Sequence, residues 1–166
     1  MFESGYLTVG RFRGIPIRFH WSMALGAFFF GGYRFAPAFW LAFVLLVLIH
    51  ELGHAFMARR LGHAPLGVEV TGFGGLCRWD GSRASELHRS LVAWGGVLAQ
   101  AVLLMFTYAY SFVAGPPESV AEYQIVSAFT RTNLYLILIN LLPIPPLDGA
   151  QAWQIFGHWG KIGGKR

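Results

Sequence analysis

Cysteine and charge are both scarce in this chain. Cys77 is the single cysteine among 166 residues, which excludes an intrachain disulfide and any metal site built from paired thiolates. Only 13% of the residues are charged, whereas 55% are hydrophobic. That balance is typical of membrane proteins rather than of soluble domains. A metal site here would therefore have to use histidine and carboxylate ligands.

The positive charge of the chain is dispersed. Lys and Arg total 13 against 8 Asp and Glu, but the basic residues are scattered between apolar runs. They form no stripe interleaved with aromatic residues, so no nucleic-acid partner is expected. There is also no internal repeat, low-complexity segment or long linker. We therefore expect residues 1–166 to form a single membrane-embedded domain.

Four apolar runs each come near the roughly 20 residues that a membrane-spanning helix needs. With these spans, 11 basic residues fall on one side of the membrane and 2, Arg34 and Arg131, on the other. The positive-inside rule then places both termini in the cytoplasm, including a basic tail over residues 157–166. The sequence thus predicts an all-α polytopic protein of the cell membrane. The predicted spans are residues 15–33, 36–58, 91–113 and 120–142.

A short β-hairpin is predicted between the second and third spans, over residues 67–81. Val68 and Val70 alternate with polar neighbours and are followed by a glycine-rich bend. Two placements are open. The hairpin is either solvated in the cytoplasm or dips into the membrane, where protein or a water-filled cavity must cover its backbone. In the second case an extended substrate could add to its edge as another strand.

The second span carries ionisable residues at membrane depth. His50-Glu51-Leu52-Gly53-His54 is a His-Glu-x-x-His pattern. Positions i and i+4 lie on one face of a helix, so both imidazoles can bind one zinc ion while Glu51 reaches a zinc-bound water. Ionisable side chains at this depth cost a few kcal/mol each, and a bound metal is the simplest compensation.

A catalytic zinc usually has a third protein ligand. The other histidines of the chain lie near span ends or in the cytoplasmic segment and need no special role. The chain has only two aspartates, Asp80 and Asp148. Asp148 follows three prolines that must end the fourth helix by Pro143, and helix rise puts both motifs at similar depth. Asp148 can return to the histidines if the proline-rich segment folds across them. The other histidines are His20, His63, His88 and His158.

Two motifs together resemble the site-two protease family of intramembrane zinc metalloproteases. The first is the His-Glu-x-x-His pattern. The second, Asn-x-x-Pro-x-Pro-x-Leu-Asp-Gly, runs from Asn140 to Gly149 and is the more specific. Gly14-Ile15-Pro16-Ile17, Gly74-Gly75 and Gly95-Gly96 are similar to further family landmarks, so the resemblance covers residues 14–149.

The resemblance implies a role for each site residue. His50, His54 and Asp148 would be zinc ligands, Glu51 the catalytic acid and base, and Asn140 a substrate or oxyanion contact. The chain departs from the family at Gln100, where members commonly have asparagine. It also has no segment long enough for a PDZ or nucleotide-sensing domain, so a minimal bacterial-type member is expected.

The activity implied by the resemblance is zinc-dependent hydrolysis of peptide bonds within or near transmembrane segments. Its substrates would be single-pass membrane proteins, such as transmembrane anti-sigma factors, in the bilayer of a bacterial inner membrane. The alternative is a membrane protein that binds zinc for transport or sensing. Transport favours ionisable residues strung along several spans, whereas here they cluster at one depth. The sequence does not indicate an oligomeric state.

Two polar residues of the fourth span have open roles. Arg131 either extends to the outer membrane interface or belongs to a functional ion pair. Asn133 lies seven residues before Asn140, on the same helical face. It forms either a helix-packing hydrogen bond, which we favour, or part of the site.

Overall fold

The computed structural model describes residues 5–157. The predicted basic tail, residues 157–166, therefore lies outside the described residues apart from Gly157. In chain order the described elements are β1 (Tyr6–Phe12), β2 (Ile15–His20), α1 (Met23–Phe30), α2 (Pro37–Arg60), β3 (Pro65–Thr71), β4 (Gly74–Trp79), α3 (Glu86–Ala114), α4 (Val120–Ser127), a π-helical segment (Ala128–Thr132), α5 (Asn133–Asn140) and α6 (Gly149–Ala152).

Helices α2 and α3 form the centre of the molecule. Within residues 5–157 they are the two helices that are long and apolar enough to cross a membrane. Pro37 begins α2, where its missing N–H costs nothing. Ser85 caps α3, because its hydroxyl accepts a hydrogen bond from the His88 backbone N–H at 3.1 Å. These helices overlap the predicted spans 36–58 and 91–113.

The two central helices approach each other through glycine. A Cβ on Gly95 would lie 2.6 Å from the Gly53 carbonyl oxygen and 2.9 Å from Met57 Cβ. Only glycine fits at such a crossing, and small residues are what let membrane helices pack closely. This contact brings α3 within hydrogen-bonding reach of the histidines on α2.

Helical backbone continues from α4 through the π-helical segment into α5, in stretches of 8, 5 and 8 residues. The Ser119 hydroxyl accepts a hydrogen bond from the Glu122 N–H at 3.1 Å, and a Glu122 carboxylate oxygen accepts one from the Glu118 N–H at 2.9 Å. These reciprocal bonds cap the helix start. The helix ends at Asn140, ahead of Pro143, which removes a backbone donor.

The prediction of a spanning helix over residues 15–33 is wrong. Ile15–His20 is strand β2, and α1 is only 8 residues long. At about 1.5 Å per residue, α1 measures about 12 Å, which is less than half of a hydrocarbon core. The strand forms because Ile15 and Ile17 alternate toward the core, while neighbouring strands satisfy its backbone.

The fold class is therefore mostly helical with a small sheet, not all-α. The sheet has four strands in the order β1-β2-β3-β4, so the predicted hairpin is only half of it. Strands β1 and β2 pair antiparallel, β2 and β3 parallel, and β3 and β4 antiparallel. The parallel pairing is non-local, since it joins residues 17–19 to residues 68–70. A local sequence pattern therefore cannot predict it.

A tight turn joins the first two strands. Phe12 pairs with Ile15 across the two-residue loop of Arg13 and Gly14. Both loop residues have positive φ, 50° and 86°. Positive φ at both central positions is the signature of a type I′ turn, which matches the right-handed twist of a hairpin.

The hairpin of β3 and β4 packs against protein. Val68 and Val70 are fully buried and belong to the same core cluster as Phe43 of α2. The hairpin turn is anchored beside α1, because the Gly72 N–H donates to the Ser22 hydroxyl at 3.1 Å. This contact joins the hairpin turn to the N-terminal end of α1.

Candidate metal centre

His50 and His54 lie one helical turn apart on α2, and their rings face one point. Their Nε2 atoms are 3.1 Å apart, and both side chains are buried. The sequence spacing produces this geometry directly, since residues four apart lie on the same face of a helix. The pattern thus places two imidazole nitrogens at one buried position.

Asp148 is the third member of this cluster. Its Oδ2 atom lies 3.0 Å from His50 Nε2 and 3.3 Å from His54 Nε2. Three potential ligand atoms from two distant parts of the chain therefore converge. The proline-rich segment folds back across α2, which is the condition under which the sequence analysis allowed Asp148 to reach the histidines. Gly149 makes this possible because a Cβ there would collide with the Leu141 and Leu142 carbonyl groups.

The far nitrogen of each histidine is held by α3. His54 Nδ1 lies 2.8 Å from the Val92 carbonyl oxygen, and His50 Nδ1 lies 3.0 Å from Gln100 Oε1. Carbonyl oxygens only accept hydrogen bonds, so the proton of each ring is on Nδ1. Each Nε2 then turns its lone pair toward the cluster, as a metal ligand requires.

A metal ion fits this donor set. With both protons on Nδ1, Asp148 Oδ2 faces two lone pairs, and it is buried without a hydrogen bond from any residue between 5 and 157. Zinc prefers tetrahedral sites with metal–nitrogen distances of about 2.0–2.1 Å, which corresponds to ligand atoms about 3.3 Å apart. The observed separations of 3.0, 3.1 and 3.3 Å match that spacing.

Two glycines leave room for the site. A Cβ on Gly96 would lie 2.5 Å from His54 Nε2 and 2.6 Å from His50 Cε1, so α3 can approach the imidazoles only with glycine there. A Cβ on Gly75 would lie 2.5 Å from Glu51 Cδ. Strand β4 therefore passes directly over the Glu51 carboxylate, which is itself buried.

A cavity of about 740 Å³ opens over the cluster. The three candidate ligands and Glu51 line it, and so does Asn140 at the end of α5. Residues 74–77 of β4 form part of its wall. All five residues that the sequence singled out thus border one cavity.

The sequence analysis gave Gln100 no role, yet this side chain is 1% exposed and contacts His50 directly. The sequence signal for this role is a single amide side chain within an apolar span, which needs a polar partner when it is buried. Asn133 is fully buried and donates to the Gln100 backbone carbonyl at 3.0 Å. Asn133 therefore makes the helix-packing hydrogen bond that we favoured.

The other described histidines bond elsewhere. His63 Nε2 lies 2.9 Å from His88 Nδ1, and His20 Nδ1 lies 2.8 Å from the Ser22 hydroxyl. His158 falls outside the described residues. Arg131 is exposed on the π-helical segment.

Several known proteins are similar to this chain in sequence. No protein-family model matches the chain. The Mycobacterium tuberculosis protein named "Putative zinc metalloprotease Rip3" is 30% identical over 87% of this chain and 42% of its own length. Stage IV sporulation protein FB of Bacillus subtilis is 34% identical over 67% of this chain and 37% of its own length. The chain thus spans less than half the length of these relatives.

A solved structure has the same fold. The site-2 protease of Methanocaldococcus jannaschii matches with a TM-score of 0.68 and 21% sequence identity, over 91% of this chain and 71% of that one. The fold and the His-Glu-x-x-His cluster with its aspartate together define a membrane-embedded metalloprotease class. Within that class, the chain belongs to the site-two protease family.

Proposed function

We propose that this protein is an intramembrane zinc endopeptidase. It hydrolyses peptide bonds within or near the transmembrane segments of membrane-protein substrates. The observation that carries the proposal is the convergence of His50 Nε2, His54 Nε2 and Asp148 Oδ2 at 3.0–3.3 Å, beside Glu51 and inside a cavity. The zinc-metalloprotease name of the M. tuberculosis relative supports it.

His50, His54 and Asp148 would hold the ion, and Glu51 would move protons. When bound, zinc supplies Lewis acidity and an activated water at neutral pH. The Glu51 carboxylate accepts a proton from the attacking water and returns it to the leaving amide nitrogen. Its burial beneath β4 excludes bulk water from that exchange.

Asn140 would stabilise the developing oxyanion. It ends α5 and borders the same cavity as the three ligands. Its side-chain amide can donate a hydrogen bond to the carbonyl oxygen as negative charge accumulates there. Removing one such donor typically costs about 100- to 1,000-fold in kcat.

Strand β4 would bind the substrate as an extended strand. It is an end strand of the sheet, and no described strand pairs with its other edge. Its residues 74–77 also line the cavity over Glu51. A substrate segment that has left its helix has unpaired backbone groups, and a free strand edge satisfies them.

The proposal also covers the substrates and the membrane. Family resemblance suggests single-pass membrane proteins as substrates, with transmembrane anti-sigma factors as one class. The protein would reside in a bacterial inner membrane with both termini in the cytoplasm. The 11 to 2 asymmetry of basic residues supports this orientation. The pairing of β2 with β3 also supports it, because it puts the N-terminal strands on the hairpin side.

The test compares purified wild type with Glu51→Gln and Asp148→Ala in lipid nanodiscs. Bound zinc is measured by mass spectrometry, and a panel of single-pass substrates is incubated and its cleavage sites are mapped. Glu51→Gln should retain zinc and lose cleavage by more than about 100-fold, whereas Asp148→Ala should lose both. Glu118→Gln, an exposed glutamate on the far loop, is the matched control and should resemble wild type.

Two results would overturn the proposal. Cleavage that survives in Glu51→Gln would remove the proton carrier from the mechanism. Cuts confined to soluble loops of the substrates would rule out hydrolysis within the membrane. A zinc carrier or sensor, in contrast, would keep its function in Glu51→Gln.

A further inference from the structure

The segment that carries Asp148 has little regular structure of its own. Between Leu141 and Trp153 it contains three prolines and the four-residue helix α6. Helices this short are not stable alone, because too few backbone bonds offset the entropy of ordering them. Something outside the segment must therefore fix the position of the Asp148 carboxylate, which is 21% exposed.

Three side-chain donors bind backbone carbonyls of this segment. The Ser90 hydroxyl donates to the Gln151 carbonyl at 2.8 Å, and the Trp94 indole N–H donates to the Ala152 carbonyl at 3.0 Å. The Trp153 indole N–H closes the segment on itself by donating to the Leu141 carbonyl at 2.6 Å. We call Ser90, Trp94 and Trp153 the carbonyl latch.

The latch is a compact unit. Ser90 and Trp94 are one turn apart on α3, and Ser90 is fully buried. The Trp94 and Trp153 rings meet edge to face, with centroids 5.4 Å apart. The carbonyls that Ser90 and Trp94 bind belong to Gln151 and Ala152, three and four positions after Asp148. A shift of either carbonyl would therefore move the Asp148 side chain.

We propose that Ser90 and Trp94 are positioning residues for the third metal ligand. They act through the backbone and hold Asp148 Oδ2 at 3.0 Å and 3.3 Å from the two histidine nitrogens. The inference rests on the proposed zinc site. It assigns to α3 a part in orienting all three ligands, since Gln100 and Val92 of the same helix already hold His50 and His54.

Binding and latching are reciprocal under this proposal. A metal ion that holds Asp148 also favours the closed latch, and a closed latch raises metal affinity by the same factor. The net worth of one neutral hydrogen bond corresponds to about a two- to tenfold change in an equilibrium constant. Loss of either donor should therefore weaken zinc binding by about that factor.

The test uses Trp94→Phe and Ser90→Ala in the full-length protein in nanodiscs. Zinc affinity is measured by competition with a chromophoric chelator. Trp40→Phe is the matched control, because the Trp40 indole N–H is buried with no acceptor among the described residues. We expect weaker zinc binding in both latch variants, by about two- to tenfold, and wild-type affinity in the control.

A second readout reports the latch itself. Trp153 is 39% exposed, so in protein labelled with 5-fluorotryptophan its fluorine NMR signal, assigned by its absence in Trp153→Phe, should show a solvent isotope shift. Zinc should protect this indole in the wild type, and less so in Ser90→Ala. Restoring the hydroxyl with Ser90→Thr should recover both the protection and the zinc affinity. A change in thermal stability of the metal-free protein alone would not reproduce this pattern.

The outcomes separate the latch from the proposed activity. Zinc affinity equal to wild type in both Trp94→Phe and Ser90→Ala would overturn the latch, while wild-type cleavage would leave the protease intact. Equal weakening in Trp94→Phe and Trp40→Phe would also overturn it. A wild-type protein that binds no zinc would overturn both the latch and the proposed function.

Discussion

Gln100 Oε1 lies 3.0 Å from His50 Nδ1, so a buried amide on α3 orients a candidate ligand on α2. In the chain they are separated by the end of α2, strands β3 and β4 and the first half of α3. The Gln100 backbone carbonyl in turn accepts a hydrogen bond from Asn133. These hydrogen bonds therefore connect the His50 imidazole through Gln100 to Asn133, the first residue of α5. Outer partners of this kind fix the tautomer of a metal-binding histidine.

Replacing Gln100 by leucine should weaken zinc binding by about 10- to 100-fold, the usual cost of losing an outer partner of a ligand. Glutamate at this position should keep or strengthen binding, because a carboxylate also accepts the Nδ1 proton. Zinc affinity by chelator competition measures both. The control is Thr107→Val, which removes a buried hydroxyl that bonds only within α3, to the Leu103 carbonyl. Equal affinity in Gln100→Leu and Thr107→Val would contradict this role.

Adding a methyl group at Gly96 should abolish zinc binding. The new Cβ would lie 2.5 Å from His54 Nε2, a distance at which either the imidazole or α3 has to move. Gly10→Ala is the matched control, because a Cβ there meets nothing within 4 Å. Metal content after purification should be near zero for Gly96→Ala and unchanged for Gly10→Ala. A fully loaded Gly96→Ala protein would show that the helices can separate at no cost.

Phe73 should contribute to substrate binding without affecting the metal. Its ring lies at the hairpin turn, is 80% exposed and borders the cavity. An apolar substrate segment would bury it, and full burial of such a side chain is worth about 1.5–3 kcal/mol. Phe73→Ala should therefore raise KM by about tenfold or more, with zinc content and kcat unchanged. Lower kcat at constant KM would place Phe73 in the chemical step instead.

Asp80, beyond the end of β4, should have a pKa below the usual value for an aspartate. Hydrogen bonds from Ser82, one of them from the Ser82 backbone N–H at 3.0 Å, lower the pKa of Asp80 below its usual value. A carboxyl with a lowered pKa in the folded state stabilises the fold above its unfolded pKa. That contribution disappears as the pH falls through the lowered value. Carbon-13 NMR should give a midpoint below about 3.9, and Ser82→Ala should raise it. A midpoint unchanged by Ser82→Ala would exclude the side-chain bond.

Local patterns in the sequence carried much of the candidate site. The spacing of His50 and His54 follows from helix geometry alone, and the prolines before Asp148 mark irregular backbone. The contact of Gln100 with His50 was not predicted, because it depends on the crossing of α2 and α3 at Gly53 and Gly95. No local sequence pattern encodes that crossing. A buried amide in an apolar helix reports that it has a partner but does not identify it.

The first apolar run shows the limit of hydropathy. Residues 15–33 are apolar over the length that a spanning helix needs, and the alternation of Ile15 and Ile17 is too short to predict a strand. The strand depends on a parallel partner, β3, about fifty residues away in sequence. Tertiary pairing of this kind overrides local preference, so the four-stranded sheet was anticipated only as its second hairpin.

The order of the ligands along the chain has a consequence for assembly. His50 and His54 enter the membrane early in synthesis, whereas Asp148 and its anchoring carbonyls arrive after α5 has been made. During that interval the chain carries the two imidazoles without the aspartate that, in the proposed site, would complete their ligand set. If the three residues hold zinc as proposed, stable metal binding would follow the synthesis of residue 148, and a chain truncated before that residue would lack a complete site.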